Sequence, residues 1–220
     1  MSKVSVKICG LQDVEVLKSM INLPVDHIGF VFAKSKRQIT GIQASEMIHW
    51  IQNWEGPKKP ASVGVFVNPE LQELAAVLQE AKLDVVQLHG QESPEFCRSV
   101  KQQFAVKVFK VFSVKNDLEE DLSGLDDFSG VLDGLLLDTY DPKYGGGSGQ
   151  TFDWGRIKPY QTWTKREGIP LIIAGGLNPE NVGELLSGFQ PDGVDVSSGV
   201  ETEGVKDIEK IRAFVERVKG

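Results

Sequence analysis

The sequence predicts a (β/α)8 barrel that occupies residues 1–220 as a single domain. Short runs rich in β-branched residues alternate with longer stretches in which apolar residues recur at helical spacing. Eight such runs occur, and a count of eight favours a closed barrel over an open, doubly wound parallel sheet. No proline-rich linker or break in composition divides the chain.

The predicted elements alternate along the whole chain. The strands cover residues 4–9, 27–32, 62–66, 84–88, 106–110, 134–137, 171–174 and 193–196. The helices cover residues 13–20, 44–53, 69–81, 94–103, 179–186 and 207–218, with weaker patterns around 118–128 and 154–165. Three helix starts are expected where a capping residue precedes a proline, at Asn68–Pro69, Ser93–Pro94 and Asn178–Pro179.

The composition argues against several classes of partner. The chain carries 24 Lys and Arg against 31 Asp and Glu, a formal net charge of −7. This leaves no surplus of cations to neutralise a nucleic-acid backbone. No apolar stretch approaches the roughly 18 residues that indicate a membrane-spanning helix. We therefore expect neither nucleic acid nor a membrane as a partner.

The two cysteines, Cys9 and Cys97, are far apart in the sequence. This spacing fits neither a disulfide framework nor a zinc site, and it is typical of a protein in a reducing compartment. We therefore expect a cytoplasmic protein without a metal site.

Glycine and polar residues cluster directly after the predicted strands. Ten of the 23 glycines do so: Gly10, Gly90, Gly145, Gly146, Gly147, Gly149, Gly175, Gly176, Gly199 and Gly204. In a (β/α)8 barrel the loops that follow the strands build the active site. Because glycine lets backbone N–H groups approach a ligand closely, the pattern predicts a barrel mouth that holds an anion such as phosphate.

Six of these segments resemble, in order and at similar spacing, the phosphoribosylanthranilate isomerase family of tryptophan biosynthesis. They are Lys7-Ile8-Cys9-Gly10; Gly29-Phe30-Val31-Phe32 with Ser35-Lys36-Arg37; Val86-Gln87-Leu88-His89-Gly90; the loop 144–149 running into Thr151-Phe152-Asp153-Trp154; Gly175-Gly176-Leu177-Asn178-Pro179-Glu180-Asn181-Val182; and Asp195-Val196-Ser197-Ser198-Gly199-Val200-Glu201. Each motif alone is weak. Six collinear motifs over nearly the whole chain are specific.

The resemblance implies an isomerase and two catalytic residues. Members of the family catalyse the Amadori rearrangement of N-(5-phosphoribosyl)anthranilate to 1-(2-carboxyphenylamino)-1-deoxyribulose 5-phosphate. By this resemblance Cys9 is the general base that removes the C2 proton, and Asp138 is the general acid that protonates the ring oxygen. The reaction involves no redox change, so no cofactor is implied. The family contains monomers and homodimers, and both remain open for this chain.

The two anionic ends of such a phosphosugar substrate need separate binding sites. The loops after the seventh and eighth strands are expected to bind the phosphate through Gly175, Gly176, Ser197, Ser198 and Gly199. Arg37 suits the anthranilate carboxylate, because a guanidinium offers a planar, bidentate fork. His89 and Asp195 are expected to contact the sugar hydroxyls or the amine.

Lys7 is expected inside the barrel, because residues two apart on a strand share a face. We place it among Cys9, Asp138 and Asp195, where its charge would increase the thiolate fraction of Cys9. Other interpretations remain open: Asp195 as a simple partner of an interior salt bridge, and His89 as a strand-end residue bonded to a backbone carbonyl.

One segment departs from the family pattern, since Gly145-Gly146-Gly147 contains an extra glycine and Gln150 follows the loop. The alternative functions are another sugar-phosphate isomerase or lyase on the same barrel, such as the histidine-pathway aldose–ketose isomerase; a barrel that binds a phosphosugar or flavin without this chemistry; and an interaction protein with a relic site. Members of the histidine-pathway isomerase family carry aspartate at the position of Cys9.

Overall fold

Eight parallel strands close into a barrel in the computed structural model, which describes residues 4–56, 58–114, 122, 124–139 and 151–220. The strands are β1 (Ser5–Cys9), β2 (His27–Val31), β3 (Ala61–Phe66), β4 (Val85–Leu88), β5 (Lys107–Val114), β6 (Gly134–Thr139), β7 (Leu171–Ile173) and β8 (Gly193–Val196). They pair in chain order, and β8 pairs with β1 to close the sheet. The predicted (β/α)8 barrel is therefore confirmed.

Seven α-helices lie in the described part of the chain. They are α1 (Val14–Ser19), α2 (Gly41–Gln52), α3 (Leu71–Glu80), α4 (Pro94–Phe104), α5 (Ile157–Glu167), α6 (Val182–Phe189) and α7 (Ile208–Lys219). Of the weak helix predicted at 118–128, residues 118–121 and 123 lie outside the described residues, and the remainder contains a 3₁₀ turn at Asp126–Phe128. After β8 comes an antiparallel hairpin of β9 (Glu201–Thr202) and β10 (Val205–Lys206).

Of the three predicted helix starts, the one at Ser93–Pro94 is confirmed. The Ser93 hydroxyl accepts the Phe96 N–H, and the proline occupies the first turn of α4. The start predicted at Asn178 is displaced, because its side-chain oxygen instead accepts two N–H groups of the short turn ahead of α6, which begins at Val182.

The start predicted at Asn68–Pro69 is wrong. Helix α3 begins at Leu71, and Asn68 has a left-handed φ of 46°. The Asn68 side chain accepts the Gln91 N–H at 2.6 Å. It therefore joins the loop after β3 to the loop after β4 instead of capping a helix.

The alternating strand residues build two separate cores. One phase packs outward against the helices, and the other points to the barrel axis. The apolar residues of the inner core are Val63, Val85, Phe109, Val111, Leu136 and Ile172. Lys7, Gln87 and Asp195 share this inward phase and are 1%, 1% and 8% exposed. A polar layer therefore lies within the barrel, above its apolar floor.

Four aspartates clamp the amino-terminal end of the barrel in a repeated pattern. Each directly precedes an even-numbered strand and accepts a backbone N–H near the start of the odd-numbered strand before it. The pairs are Asp26 with Val6, Asp84 with Ser62, Asp133 with Val108 and Asp192 with Leu171, at 2.8, 2.8, 2.8 and 2.9 Å. Because the same contact recurs in each double βα unit, this face of the barrel is fixed independently of the loops at the other end.

Among the described residues, no helix combines the length and the apolar character needed to cross a membrane.

Asp26 is the most buried of the four clamps, and its removal should be the most costly. It accepts the Val6 N–H and pairs with Lys219 at 2.8 Å. Burial raises the pKa of Asp26, but hydrogen bonds from Lys219, Lys58 and Val6 outweigh it and hold the pKa below its usual value. Asp26→Ala should lower the free energy of unfolding by about 2 kcal/mol, because a buried N–H and two lysines lose their partner.

Urea unfolding at several pH values measures this effect. A carboxyl with a depressed folded pKa stabilises above its unfolded pKa, and that contribution is lost as the pH falls through the folded value. The difference between wild type and Asp26→Ala should therefore be full at neutral pH and shrink in acid. Asp127→Ala, at an exposed aspartate, is the control. Equal stability of Asp26→Ala and Asp127→Ala would contradict the stabilising role of Asp26.

Candidate active site

The carboxyl ends of the strands surround one cavity, and the predicted site residues meet there. Nine of the ten predicted site residues line it, and Gly199 does not. The nine are Cys9, Arg37, His89, Asp138, Gly175, Gly176, Asp195, Ser197 and Ser198. These residues come from β1, β6, β8 and the loops after β2, β4, β7 and β8. The prediction that strand ends converge on a single site therefore agrees with the observed geometry.

Lys7 lies inside the barrel and forms an ion pair with Asp195. The two atoms, Nζ and Oδ2, are 2.9 Å apart, and the two residues occupy paired positions on β1 and β8. Burial alone would lower the pKa of Lys7, but the charges of Asp195 and Cys9 raise it above its usual value. Lys7 therefore remains an ammonium ion in the interior, directly beneath the mouth.

Cys9 occupies the mouth one layer above Lys7, and Gly29 on β2 leaves room for both side chains. A Cβ at Gly29 would lie 2.8 Å from the Cys9 Sγ and 3.1 Å from the Lys7 Nζ. Burial raises the pKa of the Cys9 thiol above its usual value, and Lys7 lowers it by less than this. Lys7 therefore favours the thiolate, as expected, but desolvation outweighs it and keeps the pKa of Cys9 above its usual value.

Asp138 lines the same cavity as Cys9, and its side-chain contacts are with Thr139 and His89 instead of Lys7. Its Oδ1 accepts the Thr139 N–H at 2.7 Å, and its Oδ2 lies 3.3 Å from the His89 Nε2. The His89 contact lacks the alignment of a hydrogen bond, so that buried nitrogen has no hydrogen-bond partner among the described residues. A ligand group that enters the cavity beside the two side chains would find both within reach.

Two glycines after β7 take up left-handed backbone conformations at the edge of the cavity. Gly175 has φ +83° and Gly176 has φ +60°. The Asn181 side chain holds this turn by donating to the Gly176 carbonyl at 3.0 Å. Gly199, after β8, contacts the same loop from the other side, because a Cβ there would overlap the Leu177 carbonyl oxygen. The loops after β7 and β8 thus pack backbone against backbone beside the cavity.

Arg37 lines the cavity but is paired, which its sequence motif does not reveal. Its Nε and Nη2 donate to the two oxygens of Glu201 at 2.6 and 3.0 Å. Glu201 also accepts from Lys206 at 2.8 Å. Glu201 ends one of the family-like motifs, but the sequence assigns it no role, and no sequence pattern singles out Lys206.

Gln87 is a further buried polar residue to which the sequence assigns no role. It is 1% exposed, lines the cavity, and its Oε1 has no hydrogen-bond partner in the described part of the chain. The same holds for the Oδ1 of Asp195. Buried acceptors without partners are rare, and here both lie where a ligand hydroxyl could donate to them. In the sequence, Gln87 could be identified because it is two residues before His89 and therefore shares its inward-facing side of the strand.

Two further expectations concern the glycine-rich loop and a metal site. The glycine-rich loop 144–149 lies outside the described residues. Within the described residues, no group of three or more His, Cys, Asp or Glu side chains is arranged to hold a metal ion.

Comparison with known proteins gives a consistent result. A family model described as "N-(5'phosphoribosyl)anthranilate (PRA) isomerase" matches residues 6–217. A protein from Brevibacillus brevis named N-(5'-phosphoribosyl)anthranilate isomerase is 46% identical over 213 residues, which cover 97% of this chain and 92% of that protein.

Solved structures show the same similarity in three dimensions. Monomers of the dimeric phosphoribosylanthranilate isomerase from Thermotoga maritima align over 99% of both chains, with a TM-score of 0.79 and 35% identity. A phosphoribosyl anthranilate isomerase in complex with reduced 1-(o-carboxyphenylamino)-1-deoxyribulose 5-phosphate also aligns over 99% of both chains, with a TM-score of 0.76 and 35% identity.

The contact between Gly175 and β6 gives a test of how tightly the site is packed. A Cβ at Gly175 would lie 2.7 Å from the Thr139 nitrogen and 2.9 Å from the Asp138 Oδ1. Gly175→Ala should therefore lower the free energy of unfolding by about 2–4 kcal/mol, from overpacking added to the strain of positive φ.

Gly130→Ala is the matched control, since Gly130 also has a positive φ, +68°, but a Cβ there would have no atom within 4 Å. It should cost about 1 kcal/mol, the strain alone. Chemical denaturation of both variants gives the difference. Equal losses would show that Gly175 does not hold the end of β6 in place.

Proposed function

The chain belongs to the N-(5'-phosphoribosyl)anthranilate isomerase family, and on this premise we propose that it converts N-(5-phosphoribosyl)anthranilate to 1-(2-carboxyphenylamino)-1-deoxyribulose 5-phosphate in tryptophan biosynthesis. The observation that carries the proposal is that a thiol and a carboxyl group line the same cavity. Cys9 and Asp138 both line it, together with Arg37, Gly175 and Gly176.

The first step is opening of the ribose ring. Asp138, as the carboxylic acid, donates a proton to the ring oxygen while the bond from that oxygen to C1 breaks. The nitrogen lone pair forms a C1–N double bond, which gives a cationic Schiff base of the open sugar. The adjacent His89 lies close enough to hold Asp138 or the new hydroxyl in place.

The second step moves a proton away from C2. The Cys9 thiolate removes it, and the C2–H electrons form the C1–C2 double bond as the nitrogen becomes neutral. The resulting enolamine takes a proton at C1 and loses the one on the C2 oxygen, which leaves the ketone. Both steps are proton transfers within one isomerisation, so neither needs an oxidant or a reductant.

Binding at the two ends of the substrate positions C2 near Cys9. We propose that the phosphate lies against the backbone of five residues: Gly175, Gly176, Ser197, Ser198 and Gly199. Backbone N–H groups can neutralise an anion without any added lysine, which agrees with the acidic composition. Arg37 then faces the anthranilate carboxylate, and Asp195 offers its unpaired Oδ1 to a sugar hydroxyl.

We further propose that residues 1–220 act as one domain in the cytoplasm, where the free thiols Cys9 and Cys97 would stay reduced. The described residues that line the cavity all belong to one chain. Monomer and homodimer are both compatible with this.

Activity of variants tests the assignment. Phosphoribosylanthranilate is generated in situ, and its loss of fluorescence is followed. Cys9→Ala and Asp138→Asn should each lower kcat/KM by about 100- to 10,000-fold, the usual contribution of a general acid or base. Asp138→Asn keeps the acceptor for the Thr139 N–H, so the fold should persist.

Cys97→Ala is the control for loss of a thiol, because Cys97 is buried in α4 away from the cavity. It should retain turnover. Wild-type rates for Cys9→Ala would refute the mechanism, and no turnover by the wild type would refute the function.

A further inference from the structure

Glu201 balances two cations at the mouth of the barrel. Its side chain is 5% exposed, and it accepts from Arg37 at 2.6 Å and from Lys206 at 2.8 Å. The side chains of Arg37 and Lys206 are 12% and 5% exposed. We call these three residues the Glu201 clasp. One nearly buried carboxylate therefore separates two nearly buried cations that would otherwise repel each other.

The clasp is connected to the segments that flank the reaction centre. Lys206 donates to the Ser197 carbonyl at 2.9 Å, and the Ser197 hydroxyl donates to the Cys9 carbonyl at 3.1 Å. The hairpin β9–β10 supplies both Glu201 and Lys206. The position of Arg37 is thus set by a chain of contacts that begins at the catalytic strand β1.

Packing fixes the stem of Arg37 as well. Gly10 has φ +82°, and a Cβ there would lie 2.6 Å from the Arg37 Cδ. The guanidinium carries five N–H groups, and two of them are used by Glu201. Arg37 lines the cavity, and its Nη1 has no hydrogen-bond partner among the described residues, so this edge could donate to a ligand.

Resting on the proposed function, we propose that Glu201 and Lys206 are positioning residues that hold the Arg37 guanidinium with its remaining N–H edge toward the anthranilate carboxylate. The clasp would thereby determine specificity for the carboxylate-bearing aromatic end of the substrate. Arginine is suited to this, because its rigid fork recognises a carboxylate only when its plane is correctly oriented. Fixing that plane before binding reduces the entropy lost when the ligand arrives.

Glu201 keeps its negative charge at neutral pH. Burial would raise the pKa of Glu201, but its bonds to Arg37 and Lys206 lower it to about 2. Burial lowers the pKa of Lys206, and Glu201 opposes this. Removing the Glu201 charge would therefore leave Lys206 without its compensating anion and free Arg37 to rotate.

Binding of two matched probes tests the proposal without relying on turnover. One probe is reduced 1-(2-carboxyphenylamino)-1-deoxyribulose 5-phosphate, and the other is the same compound without the carboxylate. Calorimetry should show that Glu201→Gln lowers affinity for the first probe by about tenfold or more, as expected for disturbing a buried charge pair. Affinity for the second probe should stay within about twofold, the size of an ordinary surface effect.

Turnover gives a second readout. In Glu201→Gln the KM for phosphoribosylanthranilate should rise in parallel with the loss of probe binding, while kcat changes less. Glu203→Gln is the matched control, since it makes the same substitution at an exposed position of the same hairpin. Lys36→Ala removes a 62% exposed lysine that is 3.4 Å from Glu201 and should have little effect.

The outcomes separate the possible explanations. Equal losses for both probes would overturn the proposal in favour of a general structural role, and unchanged or higher affinity for the carboxylate probe would also overturn it. If Glu201→Gln does not fold, Glu201→Asp decides, because it keeps the charge but shortens the side chain, and its loss must again be confined to the carboxylate probe. Failure of the wild type to bind either probe would refute the proposed function itself.

Discussion

Inside the barrel, where β8 closes against β1, the Lys7 ammonium and the Asp195 carboxylate meet 2.9 Å apart. Neither charge could remain buried without the other, because desolvation of an unpaired ion costs several kcal/mol. The pair therefore lies across the seam where β1 and β8 close the barrel, and it places a fixed polar layer beneath the mouth. Cys9 lies directly above it, so the protonation of the thiol is governed by this pair and by burial together.

The barrel separates stability from chemistry at its two ends. At the amino ends of the strands, four aspartates satisfy backbone N–H groups in a regular pattern. At the carboxyl ends, polar atoms of Gln87, His89 and Asp195 are buried without partners among the described residues, and glycines adopt positive φ. Such arrangements reduce stability and are typical of binding sites. The rigid clamps at one end compensate for the strained, unsatisfied mouth at the other.

The eight strand patterns predicted the barrel, and the polar residues that follow them placed a site at its mouth, because both follow from local sequence; the roles of Cys9 and Asp138 came from the family resemblance. Three features could not be predicted in this way. The pairing of Arg37 with Glu201 joins residues 164 positions apart. The raised pKa of Cys9 depends on a balance between desolvation and the charge of Lys7, and this balance is set only by the folded structure. Asn68 precedes a proline like a helix cap, yet a tertiary contact with the next loop holds it in a left-handed turn.

The pKa of Cys9, measured by alkylation rate against pH with mass spectrometry to distinguish it from Cys97, tests the dependence on Lys7 most directly. The account predicts a wild-type value above that of a free thiol and a higher value in Lys7→Met, because the cation that favours the thiolate is lost. Lys110→Met, which removes a buried lysine paired with Glu92 instead, should leave the value unchanged. An unchanged or lower pKa in Lys7→Met would contradict the central role of the interior ion pair.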